Sequence, residues 1–414
     1  MTAEATGHRH VLIINRWRER YAEYERYIDH RKHAVTYVTT AVAAERVPQT
    51  AAGHVIVSAT DDARQVDRAA AELAARHGPL TGVIALQEND LLGAARLREA
   101  AGLPGPTVEQ TLPFRDKALM YDLTGRAGVP QPVHAVVHDA ADVVAFAAEH
   151  GWPVVIKPRD GCTSAGVAVL HGPEDLPTYP LPLSDLVIQT FDSGTTHHFD
   201  GFYDGRRAYG HLSRYINSCF DFRGGTTLGS VDVDSPAAQR AAHETADAVL
   251  GALTDAPTVF HLELFGHGDA QHPTFSFLEV GARAGGAEIS LVVREVHGAD
   301  LMALGADLQL GRRVRTPRGN TPGEPVGGWL IIPTPVPRPC RISRVNSLLG
   351  SVPTLYAEAG PRVGDIVPEA SSFYEHVGGR FRFRGTDTAS VERDIDTVTR
   401  SYSVSGTKLV AARR

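Results

Sequence analysis

Short apolar runs alternate with amphipathic segments over the first hundred residues. The stretches 11–15, 34–38, 54–58 and 82–86 are strand-length and apolar, and 62–77 carries apolar positions at helical spacing. Strands that alternate with helices predict a parallel sheet with crossover connections. A ligand would meet such a sheet at the carboxyl ends of its strands. Gly102-Leu-Pro-Gly-Pro106 then breaks the pattern and reads as a joint.

Beyond the joint the periods change. A helix is expected over 117–127, stopping before Val129-Pro-Gln-Pro132, and further helices over 140–150, 236–253, 287–296 and 300–310. Strands are expected at 133–137, 154–157, 166–170 and 186–190. An antiparallel pair, 195–202 and 207–215, turns at Tyr203-Asp-Gly205. The prolines of 173–183 make that stretch a surface loop. Gly319-Asn-Thr-Pro-Gly-Glu-Pro325 separates a final strand-rich segment, 326–414. No internal repeat is visible.

Charged residues fall at the ends of several apolar runs. The run 152–156 ends in Lys157, where a parallel strand would deliver a cation to a cleft, and 160–166 follows with small residues that allow close backbone approach to an anion. Lys117 opens a helix after Phe114-Arg-Asp. Glu263 lies in the strand 259–265 and Glu279 in the one leading to Gly281. The chain between these two acids suffices for two neighbouring strands and a turn. Paired carboxylates hold Mg²⁺, which prefers one or two protein carboxylates plus phosphate oxygens. Arg283 adds a planar fork for phosphate or carboxylate. Any one of these residues alone would read as a solvated surface charge.

In this order, Arg115-Asp-Lys117, Val154-Val-Ile-Lys157-Pro158, the 160–166 loop, His261-Leu-Glu263 and Leu278-Glu279-x-x-x-Arg283 resemble the ATP-grasp superfamily, most nearly its ADP-forming L-amino-acid (dipeptide) ligases. The resemblance implies an α/β chain, α+β in the grasp domain. Residues 1–110 would be a Rossmann-like unit, and 111–315 a grasp domain with lobes 111–186 and 187–315. Residues 316–414 would be a strand-rich segment completing the second lobe. The resemblance also implies site roles. ATP would meet Lys117, Lys157, Gly161, Thr163, Ser164, Ala165 and Gly166. Adenine would lie against the backbone of Gln189, Thr190 and Phe191, with Phe191 or Ile188 as a flat apolar contact. Glu263 and Glu279 would hold one or two Mg²⁺ ions, and Arg283 and Lys157 would act in catalysis. Arg283, Gly285, Gly286 and His261 would face the substrate, the two glycines offering N–H groups at a helix start. Of His197 and His198, at most one can face the cleft. The segment 215–225 is a candidate specificity loop. One departure stands out: Gly281 replaces the Asn that often completes the metal site. The implied activity phosphorylates a carboxylate, of an amino acid, and joins it to an amine with release of ADP and phosphate. Alternatives keep the fold but activate formate or bicarbonate, or retain ATP binding without catalysis.

Composition narrows the classes. A hydrophobic share of 43% and a charged share of 21% are ordinary for a globular enzyme, and the net charge of -7 excludes a basic nucleic-acid surface. Three scattered cysteines, Cys162, Cys219 and Cys340, fit a reducing compartment. With no membrane-length apolar run and no signal-like start, a cytoplasmic enzyme acting on small molecules is expected, and the resemblance, to ligases that are often dimers, allows a homodimer. The Rossmann dinucleotide fingerprint G-x-G-x-x-G is absent after a strand, which excludes a nicotinamide reading.

Overall fold

A computed structural model describes residues 9–17, 22–162, 164–180, 182–217, 222, 225–269, 271–317, 323–334, 338–368 and 377–409. Thr163, Cys219, most of 218–224 and most of the 319–325 separator lie outside them.

Strands β1 (His10–Asn15), β2 (Ala34–Thr40), β3 (Gly53–Val57) and β4 (Gly82–Ala85) form a parallel sheet in the order β3-β2-β1-β4. Helix α1 (Ala63–His77) crosses between β3 and β4. Asp62 caps it by accepting from the N–H groups of Arg64 and Gln65, and Gly78 ends it at φ 89°. Helix α2 (Leu91–Ala100) follows β4.

Next comes α3 (Lys117–Arg126), whose cap Asp116 accepts from Ala118 and Leu119 N–H, fixing Lys117 as the first helical residue. Strands β5 (His134–Val137), β6 (Val154–Pro158), β7 (Ala168–Leu170) and β8 (Leu186–Thr190) form a second sheet, ordered β5-β8-β6-β7, with α4 (Ala140–His150) against it. Every pairing in it is antiparallel. The parallel setting expected for the Lys157 strand is therefore corrected, because a short buried apolar run has the same pattern in either direction.

The third sheet is the largest. It uses β9 (Thr195–Tyr203), β10 (Ala208–Tyr215), β11 (Leu228–Asp232), β12 (Thr258–Gly268), β13 (Pro273–Gly281), β14 (Val326–Ile332), β16 (Leu355–Ala359) and β18 (Gly379–Gly385). Their order is β13-β12-β9-β10-β11-β14-β18-β16. Helix α5 (Pro236–Leu253) packs on it through Ala242, Ala246, Val249 and Leu250, all fully buried. Fully burying a side chain the size of Val249 or Leu250 contributes about 1.5–3 kcal/mol, and the two alanines add less. Helices α6 (Ile289–His297), α7 (Leu301–Gln309) and α8 (Thr388–Ser401) complete it, and β15 (Cys340–Val345), β17 (Ile366–Val367) and β19 (Val404–Lys408) form a small satellite sheet.

One contact ties the parallel sheet to the large one. Gln309, at the end of α7, uses its side-chain amide as a missing strand: Oε1 accepts from Ala85 N–H and Nε2 donates to Ala85 O, both at 2.7 Å. This anchors the end of β4, and with it the turn carrying Glu88, against the helices that follow Arg283. Among the described residues no helix is long and apolar enough to cross a membrane.

Candidate active site

Strand register builds the site. Glu263 on β12 pairs directly with Glu279 on β13, so the two carboxylates leave the sheet on one face. The same row continues to His198 on β9, Ser213 on β10 and Asp232 on β11. A second row on this face, two residues along, runs Gly281, His261, Asp200, His211. The antiparallel period of two thus gathers a polar band across a sheet whose opposite face is apolar.

The lysines reach this band from the smaller sheet and from α3. Lys117 Nζ lies 3.5 Å from Glu279 Oε2 and donates to Gly161 O. Lys157 is 3% exposed and donates to Tyr121 Oη at 2.7 Å. Tyr121, fully buried on α3, has the Leu278 carbonyl at 2.5 Å and Gln189 Oε1 at 2.9 Å. One phenol therefore joins α3, both sheets and the lysine. Burial pushes the Lys157 ammonium down to about 8, against the opposing pull of Glu279.

Arg283 is not loose in the cleft. Its Nε and Nη2 donate to Glu88 Oε2 at 2.9 and 2.8 Å, while Arg115 Nη1 donates to Glu88 Oε1 at 2.7 Å. Burial alone would depress the guanidinium of Arg283, but Glu88 outweighs it and raises the pKa. Glu88 stays well ionised despite burial because Arg283, Arg115 and Lys117 surround it. Glu88 and Tyr121 are the site-building residues that the sequence reading missed.

The histidines are structural partners of the acids. Asp200 accepts from His198 Nδ1 at 2.5 Å and His261 Nδ1 at 2.8 Å. Burial would lower His261, yet the charge of Asp200 pushes it up to about 10. His261 Nε2 lies 3.6 Å from Glu263 Oε1, which also accepts from Tyr215 Oη at 3.0 Å. His261 is therefore a cation braced behind Glu263, and His198 the buried member of its pair. His197 points to the other face, against Phe275.

Three local expectations are corrected. Gln189 is paired in register with His134 on one side and Val155 on the other, and Thr190 N–H donates to Val133 O, so the Gln189 backbone and the Thr190 N–H are taken up by the sheet rather than free for an adenine edge. Ile188 is fully buried in the core of the smaller sheet and cannot serve as a flat contact, whereas Phe191 is 47% exposed. Gly285 and Gly286 precede the helix rather than start it, because α6 begins at Ile289, after a left-handed Ala287 (φ 51°) and Glu288 at the N-cap position. Gly285 has a packing reason instead: a Cβ there would come within 2.4 Å of Asp200 Oδ1. In the 160–166 loop, Asp160 O and Gly161 O are turned onto Arg115 and Lys117, Ser164 and Gly166 take left-handed backbone, and Ala165 N–H closes on Cys162 O.

No family model matches the chain. Two curated relatives match short stretches. An L-arginine-specific L-amino acid ligase from Bacillus subtilis is 27% identical over 94 residues, 23% of each chain. A D-alanine–D-alanine ligase from Pseudomonas fluorescens is 32% identical over 82 residues, 19% of this chain and 25% of that one. The chain thus spans about a quarter of the length of the curated relatives it matches. The likeness in three dimensions is far more extensive. The crystal structure of an L-amino acid ligase from Bacillus licheniformis superposes with a TM-score of 0.74 at 18% identity, covering 96% of this chain and 98% of that one. Coverage this complete identifies the architecture, and the chain has the fold of the ATP-grasp ligases.

Proposed function

We propose that the protein is an ATP- and Mg²⁺-dependent ligase that phosphorylates the carboxylate of an amino acid and joins it to an amine, releasing ADP and phosphate. The observation that carries this reading is the convergence of Lys117 and Lys157 on the cross-strand pair Glu263–Glu279.

The donor set fits Mg²⁺: two hard carboxylates side by side, one of them braced by a phenol and an imidazolium. Gly281 adds no donor, and the neighbouring Glu88 is taken up by two arginines. Glu263 and Glu279 would therefore hold the ion, which when bound neutralises phosphate charge and aligns the transferring group. The chain's own work is positional. Lys117 and Lys157 would neutralise phosphate oxygens, and the backbone of 161–166 would close over them and keep water from an acyl phosphate. Arg283, held flat by Glu88, would present its remaining donor edge to the carboxylate or the phosphoryl group. The amine attacks the acyl carbon and phosphate leaves, so no covalent protein nucleophile is required.

Phosphate release measured with ATP, Mg²⁺ and all pairs of amino acids, followed by mass analysis, tests the reading. A product with the summed mass of two substrates less water is expected for at least one pair. ATP binding without turnover for any amine would favour a non-catalytic nucleotide-binding protein. Carboxylation or formylation products would favour the alternative donors.

The Lys157 shift gives a second test. A phosphate contact needs the ammonium form, so ATP affinity is expected to fall by up to about tenfold per pH unit above pH 8. Lys157→Arg should flatten that dependence, because a guanidinium does not titrate there. The same shift means that from about pH 8 toward the ordinary lysine value of 10.5 the unfolded chain holds the extra proton, so this residue adds stability as pH rises. Calorimetric titration of ATP across pH 7–9.5 reads the first effect; identical profiles for the two proteins would remove Lys157 from the phosphate site.

A further inference from the structure

Two hydrophobic cores meet at the candidate active site. The smaller sheet packs its own, in which Val154 and Ile156 of β6 meet Ile188 of β8 and Val143 of α4. Helix α3 belongs by packing to the other core, although the chain leaving it runs straight into β5. Its Ala118, Met120 and Tyr121 share that core with Ala246 of α5 and Phe277 of β13. Just past the end of α3, Pro130 O accepts from Phe277 N–H at 2.7 Å, so this stretch of chain borders β13.

Tyr121 therefore stands at the seam. Its ring lies edge-on to Phe277, with centroids 5.7 Å apart, and 4.9 Å from the His134 ring of β5. Its hydroxyl works in both directions. A phenol has one proton to give, and the shortest contact, to Leu278 O at 2.5 Å, takes it; the same oxygen accepts from Lys157 Nζ at 2.7 Å. Burial, reinforced by the charges of Glu279 and Glu263, pushes this phenol well above its ordinary value, so the proton stays and the two-way role holds. Leu278 is the residue before Glu279. One oxygen thus spans from the strand that carries a member of the acid pair to the cation of the opposite sheet. An ammonium has three donors, so this bond leaves two for other acceptors.

We propose that Tyr121 is the positioning residue of this site. Its hydroxyl sets Lys157 at a fixed distance from the strand carrying Glu279, so that a triphosphate is gripped from both sheets at once. The inference rests on the ligase reading for the identity of the nucleotide, whereas the tie between the sheets belongs to the free chain. Hydrogen bonds to charged groups are among the strongest a protein makes. Without this one, the buried ammonium loses the contact that holds it, and β6 is free to withdraw from β13.

The test uses the full chain and two measurements. Tyr121→Phe keeps the ring packing and removes the hydroxyl. By calorimetry with ATP and Mg²⁺ it should weaken binding by about 10–100-fold, the range for a hydrogen bond to a charged group. In a Lys157→Met background the same substitution should cost no more than about twofold, because its effect passes through the lysine; a general loosening of the fold would instead add to the lysine effect. In the nucleotide-free chain, amide hydrogen exchange at 154–157 and at 279–280 should become at least about tenfold faster in Tyr121→Phe, with α5 unchanged. Should Tyr121→Phe not fold, Lys157→Met removes the same bond from its other end and should speed exchange in the same two strands. Unchanged exchange there overturns the proposal, as does an ATP affinity that Tyr121→Phe leaves intact or lowers equally in both backgrounds. A wild-type chain that binds no ATP would overturn the ligase reading instead, and exchange alone then judges the tie.

Discussion

Glu279→Gln is expected to lower Mg²⁺-dependent phosphate release by at least about a hundredfold while leaving the fold intact. The substitution keeps shape and removes the charge that pairs with Glu263 across β12 and β13. Metal stabilisation of charge at a phosphoryl group is worth several kcal/mol, and each 1.4 kcal/mol corresponds to about tenfold in rate. Stability should change little. The Glu279 side chain is 34% exposed, and Lys117, which loses it as a partner, still donates to Gly161 O. Glu263→Gln should behave differently. Its carboxylate answers the imidazolium of His261 and the phenol of Tyr215, so that variant should lose both turnover and stability. Turnover, Mg²⁺-dependence of ATP binding by calorimetry and a urea midpoint together separate the two. Near-normal turnover of Glu279→Gln at moderate Mg²⁺ would take this residue out of the metal set.

The contrast between these two glutamates shows which parts of the molecule were legible in the sequence. Both acids sit in strands whose apolar alternation is plain, and a period of two is enough to place them side by side. The parallel sheet was equally legible, since apolar runs and the 62–77 helical pattern alternate there without ambiguity. What local pattern cannot carry is the partner of a charge. Glu88 reads as one polar residue in a turn, and its two arginines come from 27 and 195 positions away. Tyr121 reads as an ordinary helix residue until two sheets close around its hydroxyl. The error at Gly285 has a similar origin. A Gly-Gly pair before an apolar stretch suggests a helix start, but a left-handed Ala287 delays the start to Ile289, and the need for glycine at 285 comes from Asp200 on a distant strand. Strand direction at Lys157 was likewise a matter of connection, which five apolar residues do not encode.

The largest stability effect should come from that unforeseen Glu88. It is 12% exposed and stands between Arg283 and Arg115, whose side chains are 19% and 7% exposed. Removing the central charge of a buried triad leaves two guanidiniums facing each other without compensation, a loss of about 3–5 kcal/mol. Glu88→Gln should therefore lower the urea midpoint strongly, and it should also lower turnover, because Arg283 is then free to swing from the plane Glu88 holds it in. Adding Arg115→Gln should restore part of the stability, since one surplus positive charge is removed with it; a double-mutant cycle measures that coupling. The pH dependence has a definite sign. Burial opposes ionisation of Glu88, but Arg283 and Arg115 hold its pKa below the ordinary glutamate value of 4.5, so its contribution is complete above that pH and is lost as pH falls through the depressed folded value. Wild type should thus lose stability on acidification more steeply than Glu88→Gln. Equal midpoints at pH 7, or parallel acid profiles, would show that the arginines find other partners and that the Glu88 turn does not govern how Arg283 is presented.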